Sequence, residues 1–294
     1  MIKSRIRFTP LDAVIAFALV VGGVYVFYQI KTELHYNWDW GAIPQYLFRF
    51  DEEGGHWVPN MLMQGLFTTI KLSFWGTILA TVFGFFMGLF RTSSSLFKRL
   101  LGGTYVELTR NLPPLVLIFI FYFFLSSQIV PLLGLDEWIF TRSEGTKAVL
   151  TFLFAPPAVF STFMSALVTL AVFEGAYITE IVRSGIQSIE KGQWEASYAL
   201  GLSRRQQIMH IVLPQAIKRI LPPLAGQFIS TIKDSAIVSV ISIQELTFQG
   251  MELMASTYLT FEIWITITIL YLMLAIVLSI AIERLEIFMR RSEA

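Results

Sequence analysis

The chain has no cysteine, which excludes disulfides and thiolate metal sites. Histidine is nearly absent as well. The three present, His35, His56 and His210, are scattered, so neither a metal cluster nor a histidine-based triad assembles. Charge is sparse: Asp, Glu, Lys and Arg make up 15% of the residues and nearly cancel, to a net +1, which gives no case for a nucleic-acid partner. The dipeptide Gly-Lys does not occur. Without it there is no phosphate-binding Walker loop, and nucleotide hydrolysis must be supplied by another polypeptide.

What fills the chain is apolar. Apolar residues reach 55%, 26 of them phenylalanine, and the mean hydropathy is +0.63, far from soluble usage. The apolar runs are long, whereas outer-membrane barrels show short alternating segments, so the sequence predicts an all-α integral membrane protein. Reading for spans of roughly 20 residues gives about six transmembrane helices: Leu11 to Ile30, then within Leu62 to Phe90, Tyr105 to Leu133, Val159 to Val182, Ile220 to Ile243 and Phe261 to Ile282. The first follows the basic segment Lys3 to Arg7 as a signal peptide would. No small-residue cleavage site follows it, however, and an uncleaved anchor is expected. Residues 1–63 thus form an N-terminal anchor and an external loop with Trp38, Trp40, Trp57 and the acidic run Asp51 to Glu53. Residues 64–284 form the main membrane domain, and residues 285–294 a tail.

Lysine and arginine set the orientation, because positive charge is retained on the cytoplasmic side. Fifteen fall in Lys3 to Arg7, Arg91 to Arg99, Arg183 to Arg219 and Arg284 to Arg291, against four, Lys31, Arg49, Arg142 and Lys147, on the opposite side. Both termini and the segment 183–219 are therefore expected in the cytoplasm. That segment has its own helical grammar. Gln193 to Leu200 is helix-compatible and ends at Gly201, a natural C′ glycine. Ser203 is placed to N-cap Arg204 to Leu213, and Pro214 is expected to stop or kink the chain. Ala196, Ala199 and Leu200 share a small apolar face at i, i+3 and i+4. Such a projection suits either a connector lying on the membrane surface or an element that docks into a partner's groove.

Ionisable groups forced into hydrocarbon mark candidate pathways. Glu174 lies within roughly 5 Å of the centre of its helix, at ~1.5 Å per residue, with Tyr177 on the same face. Its carboxylate could meet the ammonium or cationic side chain of a substrate, or pair internally with a basic residue. Lys233 and Asp234 offer such a pairing, although neighbours about 100° apart on a helix cannot both face one direction. Glu180 with Arg183, and Glu107 with Arg110, have the i,i+3 spacing of structural ion pairs. Arg110-Asn111-Leu112-Pro113-Pro114 reads either as a broken helix beside a cavity or as simple proline entry into a helix. Lys71 is expected to snorkel outward.

The spacing Glu195-Ala196-Ser197, three residues, Gly201, nine residues, Ile211-Val212-Leu213-Pro214 resembles the coupling-loop motif of ABC importer permeases, with Ser197 where that family usually has a second alanine. Gly175 to Gln187, Lys191 to Ala196, Gly65 to Ser73, Arg110 to Pro114, and Leu221 to Leu224 leading to Lys233-Asp234-Ser235 are similar to the polar amino-acid branch: the histidine, glutamine, glutamate and arginine permeases. The resemblance runs from about Gln64 to Glu283. It implies a type I importer permease fold with one extra N-terminal helix, in the bacterial cytoplasmic (inner) membrane. It further implies a coupling loop at about 183–219 that docks on ATPase subunits, which bind ATP and Mg2+ while this chain binds no cofactor. A second permease subunit, identical or related, an external solute-binding protein and a polar amino-acid substrate complete the implied assembly. The competing class is a secondary transporter using the midplane charges Glu174, Lys233 and Asp234, but the related halves and matching interrupted helices of that class are not found.

Overall fold

An apolar chain that must satisfy its backbone N–H and C=O groups without water coils into helices. The computed structural model, which describes residues 10–33 and 36–291, is helical almost throughout. The chain divides into two units, residues 1–40 and 41–294. The first holds α1 (Pro10–Glu33) and a stacked pair, Trp38 on Trp40, with ring centroids 5.9 Å apart; the basic segment Lys3 to Arg7 and His35 lie outside the described residues. The second unit runs α2 (Ile43–Leu47), β1 (Phe48–Asp51), β2 (His56–Pro59), α3 (Met61–Arg91), α4 (Leu96–Asn111), α5 (Pro114–Ile120), a π-helical turn (Phe121–Ser126), α6 (Ser127–Leu132), α7 (Leu135–Phe140), α8 (Glu144–Leu153) and a 3-10 turn (Pro157–Val159). It continues with α9 (Phe160–Gln187), α10 (Lys191–Ala199), α11 (Arg204–Gln206), a second π-helical turn (Gln207–Val212), α12 (Leu213–Asp234), a 3-10 turn (Ser235–Ile241), α13 (Leu246–Thr257) and α14 (Thr260–Arg291).

Among the described residues, four helical stretches are long and apolar enough to cross a membrane: Met61–Arg91, Pro157–Gln187, Arg204–Ile241 and Thr260–Arg284. A fifth exists if α4 and the helix Pro114–Val130, bent by 119°, count as one; α1 adds a shorter apolar stretch, Pro10–Tyr25. The sequence predicted about six simple spans, and the differences have local causes. The third span is broken because Pro113 and Pro114 donate no hydrogen bond and drive Leu112 into an extended conformation, φ −94°, ψ 152°. Pro114 then sits in the first turn of α5, where its missing N–H costs nothing. The fifth span starts well before Ile220, because Gln215, Lys218 and Arg219 continue the helix outside the apolar zone. Pro214, expected to stop or kink the chain, stands in the first turn of α12 directly behind a π-helical turn. The wider pairing of that turn accommodates a residue without an N–H. The last helix runs on through Arg291, beyond the predicted Ile282.

One departure from an all-helical chain lies in the segment before α3. β1 and β2 pair antiparallel, with Phe50 opposite Trp57 and Asp51 opposite His56. Alternation in Phe48-Arg49-Phe50 supplies the strand, Gly55 takes the turn at φ +64°, and Phe50 meets Trp57 edge-on at 5.6 Å. Asp51, Glu52 and Glu53 thus sit at the tip of a hairpin.

α9 is the axis of the membrane unit, buried over most of its length, with α3 lying along it and α12 and α4 on its other sides. The contact with α3 is a stripe of small residues, Gly76, Ala80, Gly84 and Gly88. A Cβ on Gly84 would lie 2.8 Å from the Gly175 carbonyl oxygen, and one on Gly88 2.6 Å from Val182 Cγ1. Backbones approach this closely only where side chains are missing. At the far ends of these helices, Glu180 accepts from Arg91 of α3 as well as from Arg183 (2.7 Å), so the predicted i,i+3 pair is a three-membered network joining both helices.

At the opposite end, α13 is fastened to α3 through Glu245. This fully buried carboxylate caps α13, accepting from the N–H groups of Thr247 (2.9 Å) and Phe248 (2.8 Å), and receives the Tyr271 hydroxyl at 2.8 Å. Thr69 of α3 donates to the same carboxylate at 3.4 Å and accepts the Leu246 N–H at 3.2 Å. Lys71, expected to snorkel, instead turns inward: its Nζ donates to the Thr151 carbonyl at 2.7 Å.

Candidate functional site

α10 ends as its glycine predicts. Gly201 adopts φ +77°, the Leu202 N–H bonds the Ser197 carbonyl (3.2 Å) and the Gly201 N–H the Tyr198 carbonyl (2.9 Å). This pair of bonds is a Schellman termination. Ser203 then opens α11 with a full capping box, its side chain accepting from the Gln206 N–H while Gln206 Oε1 accepts from the Ser203 N–H at 2.9 Å. The two helices form a rigid corner. Arg204 lies 4.0 Å over the Trp194 ring, and Trp194 packs against the cluster of Ile186, Ile189, Val212 and Ala216 that ties the corner to α9 and α12.

The motif residues divide between two faces of this corner. Ser197 turns inward at 1% exposure, donating to the Trp194 carbonyl at 2.8 Å; a small residue is needed there because α10 lies directly on the π-helical turn Gln207–Val212. Glu195, Ala196, Gly201 and Pro214 are exposed, and Ile211 and Leu213 are half-buried. Tyr198 and Leu200 project at 77% and 79% exposure. Leu200 lies on the apolar face that the sequence predicts, whereas Tyr198 falls outside its i, i+3 and i+4 spacing.

The second constellation surrounds Glu174. It is fully buried, Gln227 Nε2 donates to its Oε2 at 2.7 Å, and its Oε1 has no hydrogen-bond partner. Thr231 and Asp234 are its further polar neighbours. Gln227, Thr231 and Asp234 stand at i, i+4 and i+7, one stripe of α12 turned toward α9. The alternative of a basic partner is not realised: Lys233 is exposed on the other side of α12, and Glu174 takes part in no ion pair among the described residues. Tyr177 sits one turn along α9, with Arg110 5.4 Å from its ring centroid. Asn111 turns away to donate to Glu107 at 2.8 Å. Glu107 is therefore held by Asn111, and the predicted Glu107–Arg110 pair gives way to the Arg110–Tyr177 contact. Of the six pathway candidates, Glu174, Tyr177, Asp234 and Arg110 share one neighbourhood, while Lys233 and Asn111 do not. Gln227 and Thr231 were missed, although a polar stripe of period 3.6 inside an apolar helix is visible in the sequence.

Residues 59–291 match the family described as binding-protein-dependent transport system inner membrane component. The probable glutamine ABC transporter permease protein GlnM of Bacillus subtilis is 34% identical over 229 residues, 77% of this chain and 92% of that protein. The glutamine transport system permease protein GlnP of Escherichia coli K12 is 34% identical over 226 residues, 77% and 91% respectively. The glutamate/aspartate import permease protein GltJ of the same strain is 31% identical over 81% and 89%. Among solved structures, an amino acid ABC transporter with histidines aligns over 85% of this chain and 99% of its own, at TM-score 0.64 and 28% identity. The inward-facing MetNI methionine ABC transporter shares the fold alone, at TM-score 0.57 and 18% identity over 77% and 94%. The fold and these matches define a multi-pass inner-membrane permease component of an ABC transport system, which works with ATPase and binding-protein partners and is not itself an ATPase. Within that class, the chain belongs to the polar amino-acid permeases.

Proposed function

We propose that this permease imports polar amino acids, that the α10–α11 corner is the surface on which its ATPase docks, and that the Glu174 cluster receives the cationic group of the passing substrate. The substrate class rests on the glutamine and glutamate/aspartate relatives. The observation that carries the docking reading is the pairing of a rigidly terminated helix with outward-facing Tyr198 and Leu200. An aromatic and a leucine held proud of a capped corner are suited to fill a partner groove, and side chains of this kind dominate interface energies. Glu195 lies beside them, open to a cationic or hydrogen-bonding partner. With the corner on the cytoplasmic side, both termini are cytoplasmic and the hairpin tip is external, where the solute-binding protein delivers. Nucleotide-driven closure of two ATPase subunits would draw the corners of this permease and a second one together and rock the helices between inward- and outward-open states.

At the Glu174 cluster, two carboxyl groups and two neutral hydrogen-bonding side chains converge, Glu174 forms no ion pair among the described residues, and Arg110 is turned to the Tyr177 ring. An ammonium or guanidinium is the guest that would complete them. Uptake by the reconstituted transporter, measured across glutamine, glutamate, aspartate, histidine and arginine, tests this reading. Glu174→Gln is expected to lower transport of the accepted amino acids by about tenfold or more, the worth of one charge-assisted hydrogen bond in a buried site. Transport and affinity unchanged in that variant would remove Glu174 from the pathway.

A further inference from the structure

Gln64, Phe67, Thr68 and Lys71 of α3 form one wall of a cavity of about 440 Å³ bounded also by the α8–α9 connection and the turn before α13. The volume falls within the ~300–1,000 Å³ typical of small-molecule sites. Phe67, Phe154 and Phe163 provide apolar walls, and Lys71 and Gln249 both line the space. The Lys71 ammonium spends one hydrogen bond on the Thr151 carbonyl and has two donors left. No aspartate or glutamate lines the cavity, and Lys71 belongs to no ion pair among the described residues. Glu245, next in the chain to the lining residue Gln244, is committed to capping α13 and to Tyr271.

Gln249, only 6% exposed, closes the cavity on the α13 side. Gly65 brings the amide to this wall: a Cβ there would lie 2.9 Å from both Gln249 Cγ and the Leu246 Cα, so only glycine lets α13 lie this close to α3.

We propose that this cavity is an outer acceptance site for the carboxylate end of an α-amino acid, with Lys71 binding the α-carboxylate. The assignment rests on the importer reading. It places an acceptance step before the Glu174 cluster: Lys71 lies nine residues along α3 from Ala80, whose carbonyl faces Gly175, a separation of roughly 14 Å at ~1.5 Å per residue. Recognition of the α-carboxylate here would leave the cationic group to be received at the Glu174 cluster deeper in the path.

The experiment uses the permease–ATPase complex in nanodiscs without the solute-binding protein. Labelled L-glutamine is displaced by L-glutamine and by its α-amide. The wild type is expected to prefer L-glutamine to the α-amide by about tenfold or more, as loss of a charge-assisted contact implies. Lys71→Met is expected to weaken L-glutamine binding to the level of the amide, and Lys71→Arg to keep the preference. A Lys71→Met complex that still discriminates acid from amide as the wild type does, or a wild type that binds no L-glutamine, overturns the site. Uptake by the complete transporter, run in parallel, separates the two readings. Uptake intact without discrimination at Lys71 leaves the importer standing and removes only the site, whereas uptake of no amino acid in the panel removes both.

Discussion

Leu200→Asp is expected to cut ATP-driven uptake by about 100-fold or more, the scale of a hot-spot loss of about 3 kcal/mol, while the purified permease stays folded. Leu200 is 79% exposed and follows the last residue of α10, where the chain is already terminated by backbone bonds from Gly201 and Leu202. Its side chain therefore contributes little to this chain's own stability, and a carboxylate in its place remains solvated in the free permease. Docking changes that balance, because the carboxylate would have to be buried unpaired in an apolar groove. Uptake in proteoliposomes, with size-exclusion behaviour and thermal unfolding as controls, checks this. Wild-type uptake by a Leu200→Asp transporter would show that the corner is a membrane-surface connector.

The second large effect concerns the helix pair that carries the whole unit. Gly84→Ala should prevent recovery of monodisperse permease from detergent, because the added methyl would lie 2.8 Å from both the Gly175 carbonyl and Ile178 Cβ. The backbone atom cannot rotate away, so α3 and α9 must separate along the stripe from Gly76 to Gly88. Overpacking of a core typically costs about 1–3 kcal/mol, and here the displacement is shared by two membrane-length helices. Gly103→Ala makes the informative contrast. A Cβ at Gly103 meets nothing within 4 Å, and alanine favours the helix by about 1 kcal/mol over glycine, so that variant should be as stable as the parent or more so. Equal recovery of both variants would deny the close approach of α3 and α9.

The sequence made different parts of the structure legible to different degrees, for physical reasons. Apolar runs announced the membrane helices, because the cost of bare backbone in hydrocarbon leaves no other solution for a 20-residue stretch. Their ends were harder to read: an apolar window marks where lipid stops, not where the helix stops. The polar extension Leu213 to Arg219 and the continuation of α14 to Arg291 lie past that border. The α10–α11 corner was readable in detail, since Gly201 and Ser203 act through their own backbone and nearest neighbours.

Tertiary partners were less accessible. Nothing local distinguishes Lys71 snorkelling to the surface from Lys71 reaching the Thr151 carbonyl, 80 residues away. Glu245 is a weak capping residue by type, and its role depends on Thr69 and Tyr271 from other helices. The Glu174 neighbourhood was half visible. Its burial followed from its depth, but the choice of Gln227 over Lys233 as partner depends on how α12 is rotated against α9.

The corner formed by α10 and α11 is the surface proposed to face the ATPase that drives this permease. The absence of cysteine permits a direct measurement, since a single introduced thiol is unique in the chain. In the assembled transporter, Leu200→Cys should crosslink to the ATPase with a short maleimide–diazirine reagent on illumination, and more strongly in the nucleotide-bound state. Leu132→Cys, 85% exposed at the end of α6 and external in the charge-derived topology, should not. Crosslinking at Leu132→Cys with none at Leu200→Cys would contradict both the orientation and the docking surface.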